Sequence, residues 1–223
     1  MVSSEELSAD EQGTILVLDK DFSVLSRIQP HEFALRDIHD IAWRDGRLWV
    51  TCSYDNMVAI WDGSTWEQWY PLGKTDAEPW DRNHFNTFFF ETESVWLVAH
   101  NKGPSEMLQF NRRSLELESR ILLGHQAHNL WRENGDLYTC SSAEGAVVGT
   151  DGLRVETGGF PRGVAFGNGF RCVGVSELAE RKARDLTTAR IMVFDENWKS
   201  VSEIRLPEEG LILDIKMLDE LRA

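Results

Sequence analysis

The stretch DIHDIAWRDGRLWV, residues 37–50, decides the fold. Polar and apolar residues alternate from His39, the chain reverses at Asp45-Gly46, and alternation resumes at Arg47. Period-two alternation on both sides of an Asp-Gly pair is the signature of a β-hairpin. A structural strand would carry valine or isoleucine at its head, yet this one carries His39. Repetition supplies the reason.

The pattern returns in NTFFFETESVWLV (86–98), HNLWRENGDLYT (128–139) and RGVAFGNGFRCV (162–173). His39 to Trp49, Asn86 to Trp96 and His128 to Tyr138 each span ten residues. A second hairpin comes after every copy: MVAIWDGSTWEQWY (57–70), MLQFNRRSLELESRI (107–121), AVVGTDGLRVET (146–157) and IMVFDENWKSVSEIRL (191–206). Four units of four strands, recurring at about 40 residues, have the period of β-propeller blades.

The ends complete the count. TILVLDKDFSVLSRI (14–28) is a second hairpin without an inner strand, and LILDIKMLD (211–219) is an inner strand without a hairpin. MVSSEEL at the N-terminus echoes VGVSEL (173–178). The expected fold is therefore all-β, a single five-bladed β-propeller domain with four-stranded blades. The blades fall at about 37–72, 84–122, 127–158, 161–207, and 211–220 with 1–29. N-terminal strands plus the C-terminal inner strand close the last blade, which leaves no sheet edge exposed at the seam. A β-sandwich, the alternative, explains neither the fixed interval nor the split blade. Only SELAERKARDL (176–186) has the character of a helical turn or two.

Composition narrows the function. With 223 residues the chain can bury a large core, and nine tryptophans are available to fill it. Trp43, Trp49, Trp61, Trp96 and Trp131 recur at blade positions and read as packing between sheets. No apolar run reaches the ~18 residues a membrane span needs. The acidic start lacks the apolar region of a cleaved signal. Three well-separated cysteines read as buried free thiols, so a cytoplasmic location is expected. A net charge of −14 argues against nucleic acid, whose phosphates require clustered Lys and Arg.

In a propeller the inner strands run in one sense around an axis, so equivalent positions converge on one rim. Those first positions are His39, Asn86, His128 and Arg162, with Leu213 fifth, and His84 shares the face of Asn86. The returning strands bring Ser53, His100, Ser141, Ser176 and Glu177 to the same rim. So do the long connections 73–84 and 177–190, where ligands are commonly met. Asp40 and Asp214, one residue along, point sideways between blades.

Three functions fit. The leading one is binding of a small anionic molecule by His84, Asn86, His100, Arg162 and Ser176, with Trp80 stacking on it. In that reading His39 and His128 act as general acid or base, with Glu177 as a second group. An alternative is a metal-dependent enzyme holding Fe, Zn or Cu on His39, His84 and His128, although Arg162 would repel a cation. The third is an interaction scaffold whose acidic surface meets a basic protein partner. Beside all three stands a purely structural role, in which His and Asn side chains tie neighbouring blades through backbone carbonyls.

The blocks DIHDIAWRDGRLWV, DRNHFN (81–86), HNLWRENGDLY (128–138) and GGFPRGVAFGNGFRCVGVSEL (158–178) resemble DUF4915, a family of uncharacterised propeller-like proteins. The family carries, in the same order, a Leu-His-Asp-Leu-like strand, an Asp-Arg-Cys-His-Leu-Asn block, a His-Ser-Pro-like block, and Phe-Pro-Arg-Gly leading to Val-Gly-Leu-Ser. The resemblance marks His39, Asp40, Asp81, Arg82, His84, Asn86, His128, Pro161, Arg162, Gly163 and Ser176. Asn83 stands where Cys is usual, and Asn129-Leu130 replace Ser-Pro. The resemblance implies the propeller fold and no particular activity.

Overall fold

The computed structural model describes residues 12–74, 80–179 and 186–217, and strands dominate it. The expected strand at 1–7, the middle of the 73–84 connection, the helical turn at 180–185 and residues 218–220 lie outside the described residues. The chain divides into two compact units, residues 1–101 with 108–119, and residues 102–107 with 120–223.

In the first unit β1 (Ile15–Leu18) and β2 (Val24–Ile28) form a two-stranded antiparallel sheet. A four-stranded sheet comes next in chain order: β3 (Ile38–Arg44), β4 (Arg47–Cys52), β5 (Met57–Trp61) and β6 (Trp66–Trp69). The next begins with β7 (Phe85–Phe90) and β8 (Ser94–Ala99) and continues through β9 (Pro104–Asn111) and β10 (Leu117–His125), the strands along which the unit boundary runs. The second unit adds β11 (Ala127–Glu133), β12 (Asp136–Ser141), β13 (Ala146–Gly149) and β14 (Arg154–Glu156). Its last sheet is β15 (Phe160–Gly167), β16 (Phe170–Ser176), β17 (Ala189–Phe194) and β18 (Ser200–Leu206). Among the described residues the protein is all-β, with four four-stranded sheets of sequential strands.

The second strand of each sheet is buried on both faces, which is why it reads as continuous apolar sequence. Successive side chains in a strand point to opposite sides. Leu48, Val50 and Cys52 of β4 accordingly pack with Ile15, Leu35, Met57 and Ala59, while Trp49 packs with Val58, Ile60, Phe85 and Leu97. In the second unit Tyr138, Cys140 and Val147 pack with Val173, Val175 and Phe194. Trp96 is 2% exposed, and its indole donates to Glu91 Oε2 at 2.6 Å. Trp49 and Trp131 are core residues as expected. Trp43 is not, being 61% exposed on the same strand face as exposed Ile41. It pairs with Leu48 near the hairpin end and meets Trp61 edge-on.

One irregularity recurs in every inner strand. The ladder slips between Ile38 and Ile41, Phe85 and Phe88, His128 and Trp131, and Pro161 and Val164. In each case two inner-strand residues face one partner residue: Thr51, Val98, Thr139 or Gly174. This is a β-bulge, which bends a strand and re-aims its side chains. The bulges correct the register read from the sequence. His39, Asn86, Asn129 and Arg162 are the equivalent residues, and His128 sits one position earlier. The ten-residue interval misaligns His128 because the β11–β12 ladder runs only three pairs beyond its bulge, Trp131 to Glu133, against four for Ile41 to Arg44.

A second regularity fastens each sheet to the chain segment beyond it. Ser53 Oγ donates to Phe85 O at 2.5 Å, and Ser142 Oγ donates to Pro161 O at 2.6 Å. Ser105 Oγ accepts the Ala127 N–H at 2.9 Å, and Ser176 Oγ accepts the Ile212 N–H at 3.0 Å. The last of these involves the segment expected to be the fifth inner strand. Residues 211–217 form no strand because they find no ladder partner among the described residues, although the Ile212 N–H makes the same serine contact as the Ala127 N–H that opens β11. The segment runs close along β15 and β16: a Cβ on Gly174 would stand 2.5 Å from Ile212 Cγ2, and one on Gly163 2.9 Å from the Asp214 backbone. Among the described residues the N-terminal sheet has two strands, β1 and β2, rather than the four expected of the last blade.

Replacing Ser142 with Ala strands a buried carbonyl and removes a partner of His128, at a cost of about 1–3 kcal/mol. The melting temperature should fall by roughly 2–10 °C. Gly174→Ala should cost more, because the new methyl has backbone and Ile212 in its place. Unchanged thermal unfolding of both variants would show that these contacts do not hold the sheets.

Candidate functional site

In the first unit three imidazoles and two carboxylates gather at the start of β3 and β7. Asp37 immediately precedes β3, and His84 immediately precedes β7, at equivalent places relative to the two bulges. Both hold left-handed backbone, with φ of 53° and 49°. Few non-glycine residues adopt this conformation, and it concentrates at functional sites. Bulge residue His39 is fixed through its backbone: Thr51 Oγ1 accepts the His39 and Asp40 N–H groups at 3.2 and 2.8 Å. Asp40 turns sideways, as expected from the sequence, and accepts the Phe88 N–H at 2.8 Å.

The turn carrying His84 is built by Asn56, itself left-handed after a short 3-10 turn at Ser53–Asp55. Asn56 donates to Trp80 O at 2.6 Å and accepts the N–H groups of Arg82 and Asn83 at 3.1 and 2.8 Å. This clamp brings Asp81 beneath His84. The Asp81 side chain is fully buried, and its Oδ2 lies 2.5 Å from His84 Nδ1. A carboxylate there accepts the Nδ1–H, which leaves the lone pair on Nε2. The His84 ring lies 4.2 Å from that of His39 and 4.6 Å from that of His100. His39 Nε2 is 3.5 Å from Asp37 Oδ1, with both side chains 6% exposed. One donor atom from each of Asp37, His39 and His84 lies within 4.8 Å of the others.

Thus His39, His84 and His100 come together, and Asn86, 2% exposed, stands two residues after His84, its Oδ1 accepting the Thr87 hydroxyl at 2.9 Å. Trp80 is 53% exposed, with the Arg82 guanidinium 5.2 Å from its ring centroid. The remaining expected residues belong to the second unit. His128 Nδ1 lies 3.0 Å from Gln126 O and 2.8 Å from Ser142 Oγ. Because a carbonyl only accepts and Ser142 gives its proton to Pro161 O, Nδ1 is the protonated nitrogen. Half-buried Arg162 occupies the β15 bulge. Buried Ser176 and exposed Glu177 line a cleft of about 480 Å³ with Thr188, Arg190 and Arg205. Glu177 Oε2 accepts the Thr188 N–H at 3.1 Å.

Two site residues escape a reading of the repeat pattern alone. Asp37 is passed over because the alternation begins at His39. Asp81 enters only through the family resemblance, although its place three residues before His84 is a usable signal. Thiol nucleophiles are disfavoured: burial pushes Cys52 up to about 12 and Cys140 higher still.

No family model and no curated protein matches the chain. Solved structures do. One is a protein of unknown function from Bacteroides caccae, with TM-score 0.56, 14% identity, and coverage of 86% of this chain and 68% of that one. The nidogen–laminin complex matches with TM-score 0.58, 10% identity, and 87% and 71% coverage. A putative 6-phosphogluconolactonase from Bacteroides uniformis matches with TM-score 0.54, 12% identity, and 87% and 65% coverage. These structural neighbours are β-propeller proteins, and the four-stranded sheets are blades of that fold. At such identities the likeness carries the fold alone.

Two outcomes check this geometry. In nitrogen-15 NMR spectra His84 should show a protected, low-field Nδ1–H that disappears in Asp81→Asn; a predominantly Nε2-protonated ring would contradict the pair. Cys52 and Cys140 should resist iodoacetamide in the native protein at neutral pH and react on unfolding; rapid native labelling would contradict their burial.

Proposed function

We propose that this protein is a five-bladed β-propeller of the DUF4915-like kind that binds a small polar molecule at the Asp37, His39, Asp81, His84 and His100 cluster. Two things support five blades: four inner strands share one bulge, and Ile212 meets Ser176 through the serine tie found after the other four-stranded sheets.

The observation that carries the ligand site is the Asp81–His84 pair. A buried carboxylate fixes the tautomer of one imidazole whose ring lies 4.2 and 4.6 Å from two others, an arrangement suited to accepting a proton or coordinating a ligand. Asp37 and Asp81 favour a cationic or proton-donating group in this cluster over a bare anion. His128 and Glu177 have hydrogen bonds of their own, and the reading assigns them no step. The three free cysteines support a reducing compartment, which we take to be the cytoplasm.

The cleft of the last sheet favours a second reading, an anionic ligand. Arg190 and Arg205 both reach Glu203, at 3.4 and 2.8 Å, and both line the cleft beside Ser176. A thermal-shift panel of amino acids, polyols, small carboxylates and phosphates separates the two. Under the leading reading a stabilising compound loses its effect in His84→Gln and keeps it in Arg190→Leu. The reverse pattern would transfer the ligand to the cleft and overturn the His/Asp reading.

A further inference from the structure

We propose that Asp37, His39 and His84 form a binding site for one divalent transition-metal ion, with Asp81 as the positioning residue that orients His84. The inference deepens the ligand-site reading, and metal binding is measurable without any organic ligand.

Four observations converge on it. The first is the donor set: two imidazoles and one carboxylate, with an atom from each inside a 4.8 Å span. Donors about 2.1 Å from one ion stand roughly 3–3.4 Å apart, so the set needs only a local contraction. The second is Asp37. Its side chain is 6% exposed, and its Oδ2 is buried with no hydrogen-bond partner. Leaving a charged acceptor unsatisfied in the interior is costly, and a cation at that oxygen removes the cost. The 3.5 Å approach of Asp37 Oδ1 to His39 Nε2 is long for a hydrogen bond, so that contact does not satisfy the carboxylate.

The third observation is the Asp81–His84 pair. Ligating histidines commonly donate their second nitrogen to a carboxylate, which fixes the tautomer and raises the basicity of the metal-facing nitrogen. His84 already has that arrangement. The fourth is backbone conformation. Left-handed φ recurs at the residue before each inner strand, at Asp37, His84, Gln126 and Gly159, and in the first two sheets it falls on side chains able to bind a metal.

The chemistry selects the metal class. Imidazole nitrogen with a single carboxylate suits Fe(II), Co(II), Ni(II), Cu(II) or Zn(II) over Mg(II) or Ca(II), which take all-oxygen sets. Three protein donors leave coordination positions for water or a small ligand. This set differs from the three histidines expected from sequence: Asp37 replaces His128.

The test uses the full chain without a histidine tag, stripped of metal and titrated with cobalt(II) chloride and zinc chloride. One equivalent of Co(II) should bind and develop a visible d–d spectrum, and Zn(II) should displace it. Asp37→Asn, close to isosteric, and His84→Gln should abolish binding while circular dichroism shows retained fold. Asp81→Asn should weaken affinity about 10–100-fold yet keep the Co(II) spectrum, because the donors themselves are unchanged. His31→Ala, an exposed loop histidine, should bind as the parent does. No binding by the parent, or undiminished binding in Asp37→Asn, overturns the site. A parent that binds no metal but shows an organic-ligand shift abolished by His84→Gln would refute this inference and leave the ligand site standing.

Discussion

An extra backbone residue in an antiparallel ladder has to be accommodated somewhere, and here four inner strands accommodate it in the same place. The first strand admits it because the Thr51 hydroxyl accepts two N–H groups. The third does so because the Thr139 hydroxyl donates to the Asn129 carbonyl at 2.6 Å. The fourth has Gly174 opposite, where the missing side chain leaves room for Arg162 O. Each solution differs chemically and gives the same bend. The bend sets which residues lead each strand inward, and with them the contents of the site.

Adjacent carboxylates show how finely it sorts side chains. Asp40, within the bulge, turns to the next sheet and caps Phe88. Asp37, three residues earlier and before the slip, remains beside His39. The same acidic group is a structural tie at one position and a candidate ligand at the other. Type and burial alone would not separate them; backbone φ and the ladder do.

The hairpins are legible in the sequence because alternation reports directly which face of a strand is buried, and turns such as Asp45-Gly46 report where it ends. The bulges are not, since a two-against-one step leaves alternation intact on either side and merely shifts its phase. His128 is misplaced by the repeat for that reason. Asp37 stays hidden because a left-handed residue other than glycine carries no compositional mark. Trp43 reads as core because it lies in a strongly apolar strand, yet the face it shares with Ile41 is exposed. The gathering of His39, His84 and His100 is legible in outline, since it needs only that successive inner strands lie side by side.

The serine contacts bear on how such a chain grows. Each repeat bears a hydroxyl where its second strand gives way to its third, as Ser53, Ser105 and Ser142 do, and presents a backbone group at the start of its first, as Phe85, Ala127 and Pro161 do. Both halves of the joint therefore travel within one stretch of coding sequence. Duplicating that stretch yields a module already able to fasten to its parent on either flank, so blade number can change by unequal recombination without inventing a new interface.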